Sequence, residues 1–168
     1  MEENLEVKIG SLLNERNLKL VVAESCTGGL ISHRITNVPG SSDYYIGSIC
    51  AYAYEAKRSL LGVNPFTLDK FGAVSKETVL EMSFGVRKLF SQEIDIEKLI
   101  GISISGIAGP GGGMPFKPVG LVWVSLSSSE GHWAWKNIFK GNRQQIKEQS
   151  SDFALSLLLD YLKNSNLS

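Results

Sequence analysis

Three short apolar runs, LKLVVA (18–23), YIGSICAY (45–52) and LIGISIS (99–105), each lead into a polar or glycine-rich segment. Runs of this length and β-branched content read as buried strands, and none approaches the ~20 residues of a membrane span. Helical spacing fills the gaps between them. Leu5, Ile9, Leu12 and Leu13 predict an opening helix over 3–16, and LISHRIT continues as a helix after the first run. YEAKRSLLG reads as a short helix that stops at Gly62. Ser75 caps another, with Val79, Met82, Val86 and Leu89 on one face. Strands that alternate with helices pair in parallel and bury both sheet faces.

The second half changes the pattern. VGLVWVSL (119–126) and HWAWKNIF (132–139) flank SSSEG, a hairpin connection that requires an antiparallel neighbour. A last helix runs from about Arg143 to Leu162, with Phe153, Leu157 and Tyr161 along its face. The order is α-β-α-β-α-α-β-β-β-α. The expected fold class is α/β: a three-layer α/β/α sandwich on a mixed, mostly parallel sheet of about five strands, one domain over 1–168.

Charge narrows the function. Lys+Arg and Asp+Glu both number 17, so no global excess attracts nucleic acid or an anionic membrane. Cys26 and Cys50 are too few for a disulfide framework and have no zinc spacing; no metal or cofactor is expected. The N-terminus lacks the basic-then-apolar start of a signal peptide, giving an expectation of a cytoplasmic protein. His33 and His132, the two histidines, read as surface residues. Trp123, Trp133 and Trp135 alternate along the hairpin, where packing or a subunit interface explains them; a homo-oligomer is expected.

In open α/β sheets, ligands sit beyond the carboxyl ends of the strands. Three distinctive segments fall there: ESCTGG, AYAYEAK and SGIAGPGGG. ESCTGG sets Ser25, Cys26 and Thr27 side by side, each a candidate nucleophile. Gly28 and Gly29 permit close backbone approach, and a helix start offers N–H groups to an anion or oxyanion. The same residues also make a tight strand-to-helix turn with Ser25 or Thr27 as N-cap. The segment is neither a Walker A loop nor a dinucleotide fingerprint. SGIAGPGGG, opened by Ser105, makes room for a ligand and aims amides at it, or is simply a flexible loop. Lys57 can serve as a base if burial lowers its pKa, although a lone helix lysine is more often solvated. Arg143 can meet a phosphate or carboxylate, or stand exposed in a first turn.

AESCTGG (23–29), PGSSDYYIGSICAYAYEAK (39–57), GAVS (72–75), SGIAGPGGG (105–113), KPVGLVW (117–123) and FKGNR (139–143) together resemble the CinA C-terminal domain family, the nicotinamide-nucleotide amidohydrolases. The resemblance covers nearly the whole chain. It implies metal-free hydrolysis of nicotinamide mononucleotide (NMN) to nicotinate mononucleotide and ammonia by a Ser–Lys mechanism. It makes Ser25 the nucleophile, with Tyr52 and Lys57 activating it. Thr27, Gly28, Gly29, Ser105, Gly106, Ala108, Gly109 and Arg143 become substrate-binding, and Cys26 points into the packing. The family's usual Tyr-Ser-Asn-Glu-Ala-Lys is here Tyr52-Ala53-Tyr54-Glu55-Ala56-Lys57, which leaves Tyr52 and Tyr54 as alternative partners of Lys57. With nothing ahead of the opening helix, the stand-alone form is expected. The alternatives are a nucleotide-binding module that has lost catalysis, and a scaffold assembling through its tryptophan hairpin.

Overall fold

The computed structural model of the chain describes residues 4–164. The predicted first residue of the opening helix, at position 3, lies outside them. Helix α1 (Leu5–Glu15) starts where Asn4 Oδ1 accepts the Val7 N–H. There follow β1 (Lys19–Glu24), α2 (Leu30–Thr36), β2 (Tyr45–Cys50), α3 (Tyr54–Leu61), α4 (Pro65–Phe71), α5 (Lys76–Phe90), β3 (Leu99–Gly106), β4 (Leu121–Ser128), β5 (Gly131–Ile138) and α6 (Arg143–Asn164). The order differs from expectation by α4, which the sequence reading left unassigned. Its signal lies in Asn64-Pro65: Asn64 caps the Phe66 N–H, and proline takes the first turn, where no N–H is needed.

The strands form one sheet in the order β2-β1-β3-β4-β5. β1 pairs in parallel with both β2 and β3, while β4 is antiparallel to β3 and β5. Only β4 therefore runs against the rest, as a mixed, mostly parallel sheet requires. β4 and β5 are joined by a tight two-residue hairpin turn, Ser129-Glu130, with Ser128 paired to Gly131 directly across it.

Helices cover both faces. α1, α2 and α6 bring Ile9, Leu13, Ile31, Ile35, Leu155 and Leu158 onto Leu20, Val22, Ile102, Ile104, Val122 and Val124. Trp133 and Trp135 pack at the margin of this core, Trp133 against Tyr161. On the other face, Leu61, Leu68, Met82 and Val86 cover Val21, Ala23 and Leu99.

Alternation along β3 explains why α5 lies so close. Ile100, Ile102 and Ile104 enter the first core, whereas Gly101, Ser103 and Ser105 face the other way. A Cβ at Gly101 would overlap the Ser83 carbonyl, and Ser103 Oγ donates to Val79 O at 2.6 Å. Ser83 and Ser125 share a further hydroxyl bond at 2.8 Å. α3 leans on α5 in the same manner, since a side chain at Gly85 would overlap Leu61 O. Small residues thus set these spacings, and short polar side chains satisfy the backbone they approach. No helix among the described residues is long and apolar enough to cross a membrane.

Candidate active site

Strand register assembles the site. Glu24, the last residue of β1, lies opposite Cys50 of β2 and Ile104 of β3. The next residue on each strand, Ser25, Ala51 and Ser105, therefore meets the others at one edge. Two backbone bonds hold this junction: Ser25 N–H donates to Ile104 O at 3.1 Å, and Ala51 N–H to Glu24 O at 2.8 Å.

Lys57 enters from the first turn of α3, with 1% of its surface exposed. Its Nζ lies 2.9 Å from Ser25 Oγ, 2.7 Å from Ala51 O and 3.0 Å from Tyr52 O. Burial lowers its pKa from 10.5 to about 8, because desolvation penalises the ammonium. In the neutral amine the two carbonyls take the two N–H donors, and the lone pair is left directed at the Ser25 hydroxyl. Lys57 is therefore not the solvated lysine its helix position alone favours. The geometry can draw a proton from Ser25.

The three neighbouring candidates separate cleanly. Cys26 is buried in the core, and burial pushes its thiol up to about 12, so it carries no thiolate at neutral pH. Thr27 is turned inward, its hydroxyl donating to Glu24 Oε2 at 2.6 Å. Of the three, Ser25 is the one hydrogen-bonded to Lys57, although Cys26 also lines the pocket beside it. Glu24 is the residue that sequence reasoning missed. Fully buried, it accepts five hydrogen bonds: from the Thr27 hydroxyl, from the Gly29, Ile31 and Ser32 N–H groups, and from the Ser32 hydroxyl. It caps α2 from beneath, where Ser25 or Thr27 was the expected cap. The available signal was an acidic residue ending an otherwise apolar strand just before the two glycines.

A pocket of about 260 Å³ opens over the pair, and its lining includes Ser25, Tyr52, Lys57, Ser105, Gly106, Ala108, Gly109 and Arg143. Ala73 and Val74, in the loop before α5, also line it. Thr27, Gly28 and Gly29 do not. Gly28 and Gly29 adopt positive φ (59° and 99°), as a tight turn requires, but their N–H groups bond to Ser25 O and Glu24 within it. In this structure the Thr27 hydroxyl and the Gly28 and Gly29 N–H groups are engaged within the turn itself.

Tyr52 is 60% exposed, and its hydroxyl accepts from Arg143 at 2.8 Å rather than meeting Lys57. Only its backbone carbonyl touches the amine. Tyr54 is no substitute, because its hydroxyl accepts the Ala73 N–H at 3.2 Å. Arg143 also donates to Gly109 O at 2.6 Å, tying α6 to the glycine-rich loop. Among the described residues, no group of three or more His, Cys, Asp or Glu side chains is placed to hold a metal ion.

Fold and site define an α/β sandwich with a buried serine–lysine pair beneath a small pocket at the carboxyl edge of its parallel strands. The chain belongs to the CinA C-terminal domain family, whose sequence model matches residues 2–162. It is 47% identical over 157 residues to a putative competence-damage inducible protein of Moorella thermoacetica, covering 94% of this chain and 36% of that one. A CinA-like protein of Thermotoga maritima is 44% identical over 162 residues, covering 96% and 38%. The chain thus spans under two-fifths of the length of these relatives. The competence damage-inducible protein A structure from Klebsiella pneumoniae superposes with a TM-score of 0.89 at 30% identity, covering 96% and 97% of the two chains.

Proposed function

We propose that this domain hydrolyses the carboxamide of NMN, giving nicotinate mononucleotide and ammonia, with Ser25 as nucleophile and Lys57 as its base. The observation that carries the proposal is the 2.9 Å contact between Ser25 Oγ and a buried lysine whose other acceptors are both backbone carbonyls. Ser25 Oγ bonds to the carboxamide carbon while Lys57 takes its proton, and the carbonyl pair moves onto oxygen. Collapse of that intermediate breaks the C–N bond, and Lys57 returns the proton to the departing ammonia. A water, deprotonated by the neutral amine, then cleaves the Ser25 ester, and Lys57 reprotonates Ser25 as it leaves. With the Gly28 and Gly29 amides engaged inside their turn, the oxyanion falls to backbone N–H groups of the Ala108–Gly112 stretch lining the pocket.

The test is ammonia release from NMN by the parent and by Ser25→Ala. The parent is expected to release it and the variant to lose roughly 10³-fold or more, because the acyl-enzyme route is removed. Equal release by both moves the chemistry away from Ser25. No release by the parent, with NMN still raising the melting temperature, makes the domain a nucleotide-binding module.

Lys57 acts as base only when neutral, and burial lowers its pKa to about 8. The rate is therefore expected to climb tenfold per pH unit below about 8 and to level off above it. A profile flat from pH 6 to 9 excludes this lysine as the base.

A further inference from the structure

We propose, resting on the NMN reading above, that Lys147 recognises the substrate's phosphate and makes the domain select mononucleotides over nucleosides. Lys147 lies one turn beyond Arg143 on α6, so the two cations share a helix face. Arg143 lines the pocket above Ser25 and also a neighbouring groove of about 410 Å³, which Lys147 lines with Leu30, Gln144 and Glu148. Lys147 Nζ stands 3.8 Å from where a side chain at Gly28 would begin. That glycine closes the turn of the nucleophile, its N–H donating to Ser25 O at 3.1 Å. The ends of such a turn are under about 7 Å apart, so the ammonium overlooks the reacting serine from one groove away.

Carboxamide and phosphate are at opposite ends of a mononucleotide. With the amide carbon at Ser25, the nucleotide passes Arg143 and presents its phosphate where Lys147 stands. Arg143 already donates to Gly109 O and the Tyr52 hydroxyl. Among the described residues, Lys147 has neither hydrogen bond nor ion pair, although it is half-buried. Two neighbouring like charges on one helix face disfavour each other until an anion joins them. Glu148, the groove's one carboxylate, is occupied by the Gln144 amide at 3.1 Å.

Titration calorimetry with NMN and with nicotinamide riboside, on the parent, Lys147→Gln and Lys147→Arg, tests the proposal, with ammonia release followed in parallel. The parent should prefer NMN. Lys147→Gln should shrink that preference about tenfold to a hundredfold, the worth of a charge-assisted hydrogen bond, and Lys147→Arg should largely restore it. A parent that binds NMN no better than the riboside overturns the proposal. So does a Gln variant that keeps the parent's preference or weakens both ligands equally. If the parent binds NMN preferentially without releasing ammonia, the amidase reading fails, and the affinity ratio in the variants still decides the role of Lys147.

Discussion

Lys57→Met is expected to lower ammonia release by roughly 10²–10⁴-fold, the range for loss of a general base, while making the protein harder to melt at neutral pH. The stability gain follows from the same burial that makes the base. A lysine held at about 8 instead of 10.5 disfavours the folded state by about 3 kcal/mol wherever the unfolded chain is protonated and the folded pKa has not been reached. That penalty is full below about pH 8, is relieved as pH rises from 8 to 10.5, and is gone above. Methionine fills similar volume without charge, but leaves Ala51 O and Tyr52 O without their donor, at about 1 kcal/mol each. The net gain at pH 7 is about 1 kcal/mol, or roughly 2–4 °C in melting temperature. By pH 10 the penalty has largely lifted and the order of the two proteins should reverse. Melting curves at the two pH values check this; a difference independent of pH would show that Lys57 is not a strained cation.

Glu24→Gln should be the most damaging near-isosteric change in the site. The carboxylate gives one oxygen to Thr27, Gly29 and Ile31 and the other to the two Ser32 donors. Whichever oxygen becomes an NH₂ group, at least one backbone N–H faces another donor inside the core, while the Thr27 or Ser32 hydroxyl must turn round to accept from it. A loss of about 2–4 kcal/mol is expected, from the charge-assisted bonds removed and the polar groups left unpaired. Urea denaturation, followed by the shift in midpoint at unchanged slope, measures it. A midpoint within error of the parent's would remove Glu24 as the anchor of the Ser25 turn.

The layer architecture was legible because strand and helix periods differ, and because three parallel strands must end at the same edge. That edge brings ESCTGG, AYAYEAK and SGIAGPGGG together. α4 was legible too, in the Asn64-Pro65 cap, but its short apolar stretch carried no period. The Ser25–Lys57 pair came from family resemblance. Nothing local separates a buried lysine from a solvated one, since its burial depends on α5 and on strand ends distant in sequence. The bonds that Thr27 and the two glycines make inside their own turn were hidden for a related reason. Thr27 and Gly29 donate to Glu24 and Gly28 donates to Ser25 O, and the inward turn of Glu24 depends on where α2 starts. Tyr52 reaches the pocket as expected, but Arg143, 91 positions away, claims its hydroxyl.

The close seat of α3 on α5 carries a mechanical meaning. Leu61, whose carbonyl sits against Gly85, is one helical turn from Lys57 on the same rigid rod. Any group larger than hydrogen at position 85 tilts that rod and moves the amine relative to Ser25. A displacement of roughly an ångström is enough to slow an oriented reaction about a hundredfold. The position of the Lys57 amine against Ser25 is thus gauged by a residue that touches neither of them, from the back of the molecule.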